Sequence, residues 1–228
     1  MATTSIGAPG VTFPDATVQA TAGATGVPIL RVYTSSSTWT KPATVKAIKV
    51  TVIGGGGSTP ASTPITANTG SGGGGGGASI NIYPAPSLPG PQPYTVGTAG
   101  NTSSFGSAPI TVISATGGAV GAFASNAGTM AVGGTGGVGS SGSLNVPGSP
   151  GTQSYVIVSV ESPTPVTVRQ TGIGGNSLLG TGGVGGNPTT PAPGTPGLGY
   201  GGGAGGSRGG AQSGGTGATG VVIVEEFY

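Results

Sequence analysis

The sequence predicts an all-β, irregular fold in which short β-strands enclose extended glycine-rich segments, with essentially no α-helix. Three observations predict it. Glycine accounts for 53 of 228 residues and gathers into runs such as Gly72 to Gly77. No segment carries an apolar period of 3.6 residues bounded by capping residues. The two strongest strand patterns, residues 45–53 and 221–227, bracket the glycine runs between Gly54 and Gly220. A tether lies between domains, whereas segments flanked by two natural pairing partners lie inside one.

The elements follow in order. Residues 1–28 are low in charge and close on glycine and proline; Val11 to Phe13 is apolar, Pro14-Asp15 marks a turn, and "ATVQATA" alternates partially. This piece buries too little surface to fold alone, so it is expected to attach to a partner or to copies of itself through Val11, Phe13, Asp15, Val18 and Gln19. From Ile29 the pattern turns to strands. "ILRVY" reads as one, "TSSSTWTKP" as a polar turn carrying the sole tryptophan, Trp39, and "VKAIKVTVI" as a strand with Lys46 and Lys49 partly in solvent. Shorter candidates lie at 79–83, 94–96, 110–113, 155–160 and 166–168, and "GVVIVEEFY" closes the chain. Residues 29–228 are thus expected to form one domain.

Glycine without a Cβ lets extended segments lie side by side, bonding backbone to backbone at distances no other residue permits. A left-handed rod with three residues per turn rises about 3.1 Å per residue. Ordering each backbone costs roughly 1–2 kcal/mol, and glycine sits at the expensive end. Only a bundle in which most rods bond to several neighbours can offset that cost.

Composition excludes much of the chemistry. Charged residues make up 4% of the chain and the net charge is +2, so no cationic surface suited to nucleic acid is expected. Cysteine and histidine are absent, leaving no thiolate or imidazole to ligate a metal or act as nucleophile or base. No cofactor or metal is expected. No leader with a charged start and apolar middle is visible, nor an apolar run long enough to span a bilayer, so membrane insertion is not expected. The acids are Asp15, Glu161, Glu225 and Glu226. The last two are adjacent, point to opposite faces of a strand, and read as solvating residues rather than a catalytic dyad. "TGGVG" occurs at 135–139 and 181–185, and each copy completes a G-x-G-x-x-G. No following helix or later acid supports a dinucleotide site there. The expectation is a protein without catalysis.

The words "TWTKPATVKAIKVTVIGGGG", "SGGGGGGAS", "YTVGTAGNTSSFGS", "SLNVPGSPG", "GYGGGAGG" and "GVVIVEEFY", in that order, resemble the glycine-rich distal domain of tailed-bacteriophage tail fibres. "GVTFPDATVQATA" is similar to a segment that precedes such domains, and the likeness extends over most of residues 11–228. In the related tip adhesins of T-even-type phages, the glycine segments form packed polyglycine II helices and the connecting loops contact the host receptor. The resemblance therefore implies a virion protein that binds a bacterial outer-membrane protein or surface polysaccharide. It also implies attachment to a preceding tail-fibre or baseplate protein, as a homotrimer or a single-copy tip. The segment "TQSYVIVSVESPTPVTVRQTG" departs from the pattern and reads as an added edge hairpin or a receptor-facing extension.

Four excursions are the expected recognition loops. They contribute Thr63, Ile65 and Asn68 from 58–69; Pro86, Leu88 and Gln92 from 84–93; Phe123, Asn126 and Met130 from 119–132; and Thr190, Pro193 and Leu198 from 187–198. Prolines stiffen three of these loops, 58–69, 84–93 and 187–198, and lower the ordering cost of binding. Phe123 and Met130 are the large side chains among small ones, suited to anchoring; Phe123 is equally suited to packing on the glycine bundle as a lid. Tyr83, Tyr94, Phe105, Tyr200 and Trp39 are expected in the core. Two other classes compete: a structural glycine-rich fibre, which calls for a regular short repeat, and an ice-binding polyglycine bundle, which calls for a flat array of regularly spaced residues.

Overall fold

A computed structural model describes residues 5–7, 10–12, 18–19, 27–61, 69–124, 128–159, 166–187 and 189–228. Its architecture is all-β, built of several small sheets, and the one helical element among the described residues is a 3-10 turn, Ala85–Ser87. A five-stranded antiparallel sheet runs in the order Leu144–Val146, Ala78–Pro84, Ala47–Ile53, Val221–Phe227, Ile29–Tyr33. The pairing that brackets the glycine is present: Val221 faces Ile53 and Phe227 faces Ala47. A second five-stranded sheet orders Gly139–Ser140, Ile113–Ala115, Ser103–Phe105, Gln92–Thr95, Ser37–Trp39.

Alternation along Ala47–Ile53 and Val221–Phe227 explains the core between these sheets. Ile48, Val50, Val52, Val222 and Val224 point inward and meet Trp39, Tyr83, Tyr94, Phe105 and Ile113. Trp39 and Phe105 rings lie 6.2 Å apart and Tyr83 and Phe105 5.9 Å apart, in tilted contact. Tyr200 packs with Ile53, Ala78 and Val221 in a second cluster. All five aromatic residues expected in the core therefore pack there. The "polar turn" is corrected: Ser37–Trp39 is a strand paired with Gln92–Thr95, because Ser and Thr fill an edge strand as readily as a turn.

Glu226 corrects a second expectation. Its side chain is fully buried rather than solvating, and it accepts hydrogen bonds from Arg31 Nε at 2.7 Å, Trp39 Nε1 at 2.8 Å and Tyr228 Oη at 2.8 Å. Burial alone would raise its pKa. The donors from Arg31, Trp39 and Tyr228, with the Arg31 charge, outweigh burial and hold the carboxyl below its ordinary value. Glu225 on the opposite face meets Lys49 at 2.8 Å.

The glycine segments run from the five-stranded sheet and are joined by backbone hydrogen bonds in a three-residue rhythm. Gly72 and Gly75 donate to Thr152 and Ser149, Gly73 and Gly76 to Ala204 and Gly201, and Gly74 and Gly77 to Ala119 and Thr116. Three further segments donate to this one: Gly134 and Gly137 to the carbonyls of Gly72 and Gly75, Gly57 and Gly54 to Gly74 and Gly77, and Gly172 and Gly175 to Gly70 and Gly73. Successive residues thus face different neighbours, and every third returns to the same one. Exposure repeats likewise: Gly134 and Gly137 are buried while Thr135 and Val138 face solvent. The second "TGGVG" repeats the arrangement, with Gly183 buried and Thr181 and Val184 outward. A Cβ placed on Gly74 would lie 2.0 Å from the Thr135 carbonyl oxygen, closer than any side chain tolerates.

Candidate functional site

Gly54, Gly77 and Gly220 adjoin the five-stranded sheet directly. The opposite end of the glycine network is where Gly70 meets Ser207, Gly172 meets Gly70 and Gly186 meets Gly206. Short pairings collect at this far end. Thr69–Gly70 pairs with Phe123–Ala124, and Met130–Ala131 pairs with Ser154–Ser159, itself the first strand of a hairpin with Val166–Gln170. The edge-hairpin expectation for "TQSYVIVSVESPTPVTVRQTG" holds in these strands. Ala124, Ala131 and Val156 form a small buried cluster beneath them, and Ser154 Oγ donates to the Thr69 carbonyl at 3.0 Å.

Alternation in the hairpin buries Val156 and turns Tyr155 and Ile157 outward. Together with Met130, which is 61% exposed, they line a groove of about 330 Å³ completed by Gly128, Thr129 and Gln153. An apolar wall with a few polar groups is the usual make-up of a contact site. A concavity of about 430 Å³ beside Asn176, Leu178 and Leu179 is formed by the Leu179–Thr181 and Leu198–Tyr200 hairpin nearer the sheet.

The expected contact residues separate by place. Thr63, Ile65, Asn68 and Asn126 lie outside the described residues, as do Phe13 and Asp15. Val11, Val18 and Gln19 fall in strands Gly10–Thr12 and Val18–Gln19, with Val11 paired to Gln19. Met130 is in the far-end groove. Phe123 is half-buried; a Cβ on its partner Gly70 would come 3.2 Å from Phe123 Cε1, so the ring covers the glycine backbone. Thr190 and Pro193 are exposed near Ala192, which bridges Arg208 at the far end.

Pro86, Leu88 and Gln92 belong to the sheet end instead. Leu88 is 2% exposed in the core between the sheets, and Lys41 Nζ clamps the turn by donating to the carbonyls of Ala85 at 2.6 Å and Leu88 at 3.2 Å. Gln92 is buried with its Oε1 accepting from Ser107 N at 3.1 Å. Leu88 and Gln92 thus offer no surface, because the proline-rich loop folds back as the core's own plug. Leu198 is exposed, but on the hairpin nearer the sheet. Sequence reasoning offered the segment 152–172 as an edge hairpin or a receptor-facing extension but singled out none of Gln153, Tyr155 and Ile157 in it; the outward alternation of Tyr155 and Ile157 was the available signal.

A family model described as a glycine-rich domain matches residues 31–226. The chain belongs to the glycine-rich domain family. No curated protein matches it. The glycine-rich domain so matched spans the network of backbone hydrogen bonds, the sheet that anchors it and the far-end groove.

Proposed function

We propose that the chain is the receptor-binding tip of a phage tail fibre, acting on the virion at the bacterial surface without catalysis. In this reading the glycine segments are polyglycine II helices. The three-residue rhythm of hydrogen bonds and burial supports that assignment, since a three-per-turn rod sends every third residue to the same neighbour. Residues 70–77 as such a rod set the far end roughly 22 Å from the sheet. The observation that carries the reading is the gathering of short strand pairings, an apolar groove, exposed Met130 and Ile157 and half-buried Tyr155 at the end opposite the anchoring sheet.

Residues 1–28 join the preceding fibre or baseplate protein, or sister copies in a homotrimer. The ligand is an outer-membrane protein or surface polysaccharide of the host. An ice-binding role is less well supported: the outward rows Thr135/Val138 and Thr181/Val184 belong to segments that share no hydrogen bond with each other, so they make no common array. Purified protein is expected to bind susceptible cells and block adsorption of phage. Met130→Ala with Tyr155→Ala should reduce that binding at least tenfold with the fold retained; undiminished binding would remove the groove from the site.

A further inference from the structure

We propose that Arg208 and Arg169 form a site at the far end for an acidic group, a phosphate or carboxylate, carried by a bacterial surface polysaccharide. The polysaccharide rests on the receptor-binding reading above; the anion site does not. Four buried side-chain atoms have no hydrogen-bond partner among the described residues: Arg208 Nε and Nη1, Arg169 Nε and Thr69 Oγ1. All four lie at one end of the molecule. Arg208 is only 6% exposed. Its backbone is fixed on both sides, donating to the Ala192 carbonyl at 2.9 Å, accepting from Ala192 N at 3.1 Å, and bridging Thr69.

Arg169 is brought alongside by the glycine network. Gly172, three residues on, donates to Gly70 and accepts from Gly206, two residues before Arg208. Burial first and the Arg169 charge second hold the Arg208 guanidinium below its usual range. Two cations near enough to feel each other, with no acid beside them among the described residues, repel. Among the described residues the acids are Glu225 and Glu226, both in the five-stranded sheet and engaged by Lys49 and Arg31. An oxyanion answers this arrangement: guanidinium forks match the paired oxygens of phosphate or carboxylate, and a hydroxyl such as Thr69 Oγ1 adds a donor.

The test is a titration of the full chain followed by the arginine Nε–H signals in NMR, with inorganic phosphate and glucuronate as probes against chloride at equal ionic strength. Saturable shifts of Arg169 and Arg208 with either probe are expected, and the probe that saturates first distinguishes phosphate from carboxylate. Arg169→Gln, at a half-buried position, should weaken the binding at least tenfold while keeping the fold, so the result does not depend on Arg208→Gln folding. No saturable shift with either probe overturns the site. So does a wild type that stays silent while Glu161→Gln responds, because the pair is then neutralised from within. Arg169→Gln that loses phosphate yet binds cells as the wild type does overturns the polysaccharide assignment and leaves the receptor-binding reading intact. Phosphate binding by a protein that binds no susceptible cell leaves the anion site standing and overturns the receptor-binding reading instead.

Discussion

Glu226 is the residue on which the sheet end turns, since it joins Arg31 of the edge strand, Trp39 of the facing sheet and the C-terminal Tyr228 through one carboxylate. Its pKa is lowered in the folded chain, so its contribution is fully present above the unfolded glutamate value, about 4.3, and is lost as pH falls through the lower folded value. Stability should therefore fall with acidification below about pH 4.3. Glu226→Gln should flatten that acid limb, read from urea unfolding midpoints at a series of pH values. Glu226→Leu should cost about 1–3 kcal/mol at neutral pH, chiefly by leaving the buried Trp39 Nε1 without an acceptor. The Arg31 contribution is smaller because that side chain is 46% exposed and solvent screens it. Lys49→Ala, by contrast, removes a partly exposed pair and should change stability by less than about 1 kcal/mol.

At the scale of elements, the glycine segment 70–77 behaves as an interior strand of chain rather than a tether. A Cβ on Gly74 would meet only backbone, which has no rotamer to yield, so Gly74→Ala should cost at least about 3 kcal/mol. Gly90→Ala is the control: nothing lies within 4 Å of a Cβ there, and the change should stay within about 0.5 kcal/mol by the same denaturation measurement. The sequence made several elements legible because hydrophobic alternation is a local signal. Val221–Phe227, Ala47–Ile53, Ile29–Tyr33 and the Ser154–Ser159/Val166–Gln170 hairpin were all visible in it. Ser37–Trp39 and Ser103–Phe105 were not, since serine-rich trios carry no apolar alternation of their own and gain their ladders from the strands they pair with. The candidate site was legible at Met130 and illegible at Leu88 and Gln92, because proline-rich composition marks a loop without telling which end of the molecule it faces.

Across the whole molecule, cohesion in the glycine-rich domain comes from two different sources. The sheets are joined by buried side chains, whereas segments such as 70–77 and 201–206 are joined chiefly by N–H and C=O groups, with the hydroxyls of Ser71 and Thr59 adding side-chain bonds. The amides of Gly72 to Gly77 should accordingly exchange with solvent hydrogen as slowly as those of Val50 and Val222, a protection no tether shows. Rapid exchange of these six amides with slow exchange in the sheet would mean that the glycine network opens independently. The repeated burial of one position in three has a further consequence. An outer segment keeps glycine at its inward position and also at the half-buried one, where a Cβ on Gly136 would lie 1.9 Å from the Gly148 carbonyl oxygen, so its surface text is written in the one remaining position, held by Thr135 and Val138. Side chains that the scaffold tolerates are thereby confined to one outward position in three along the segments and to the loops that join them.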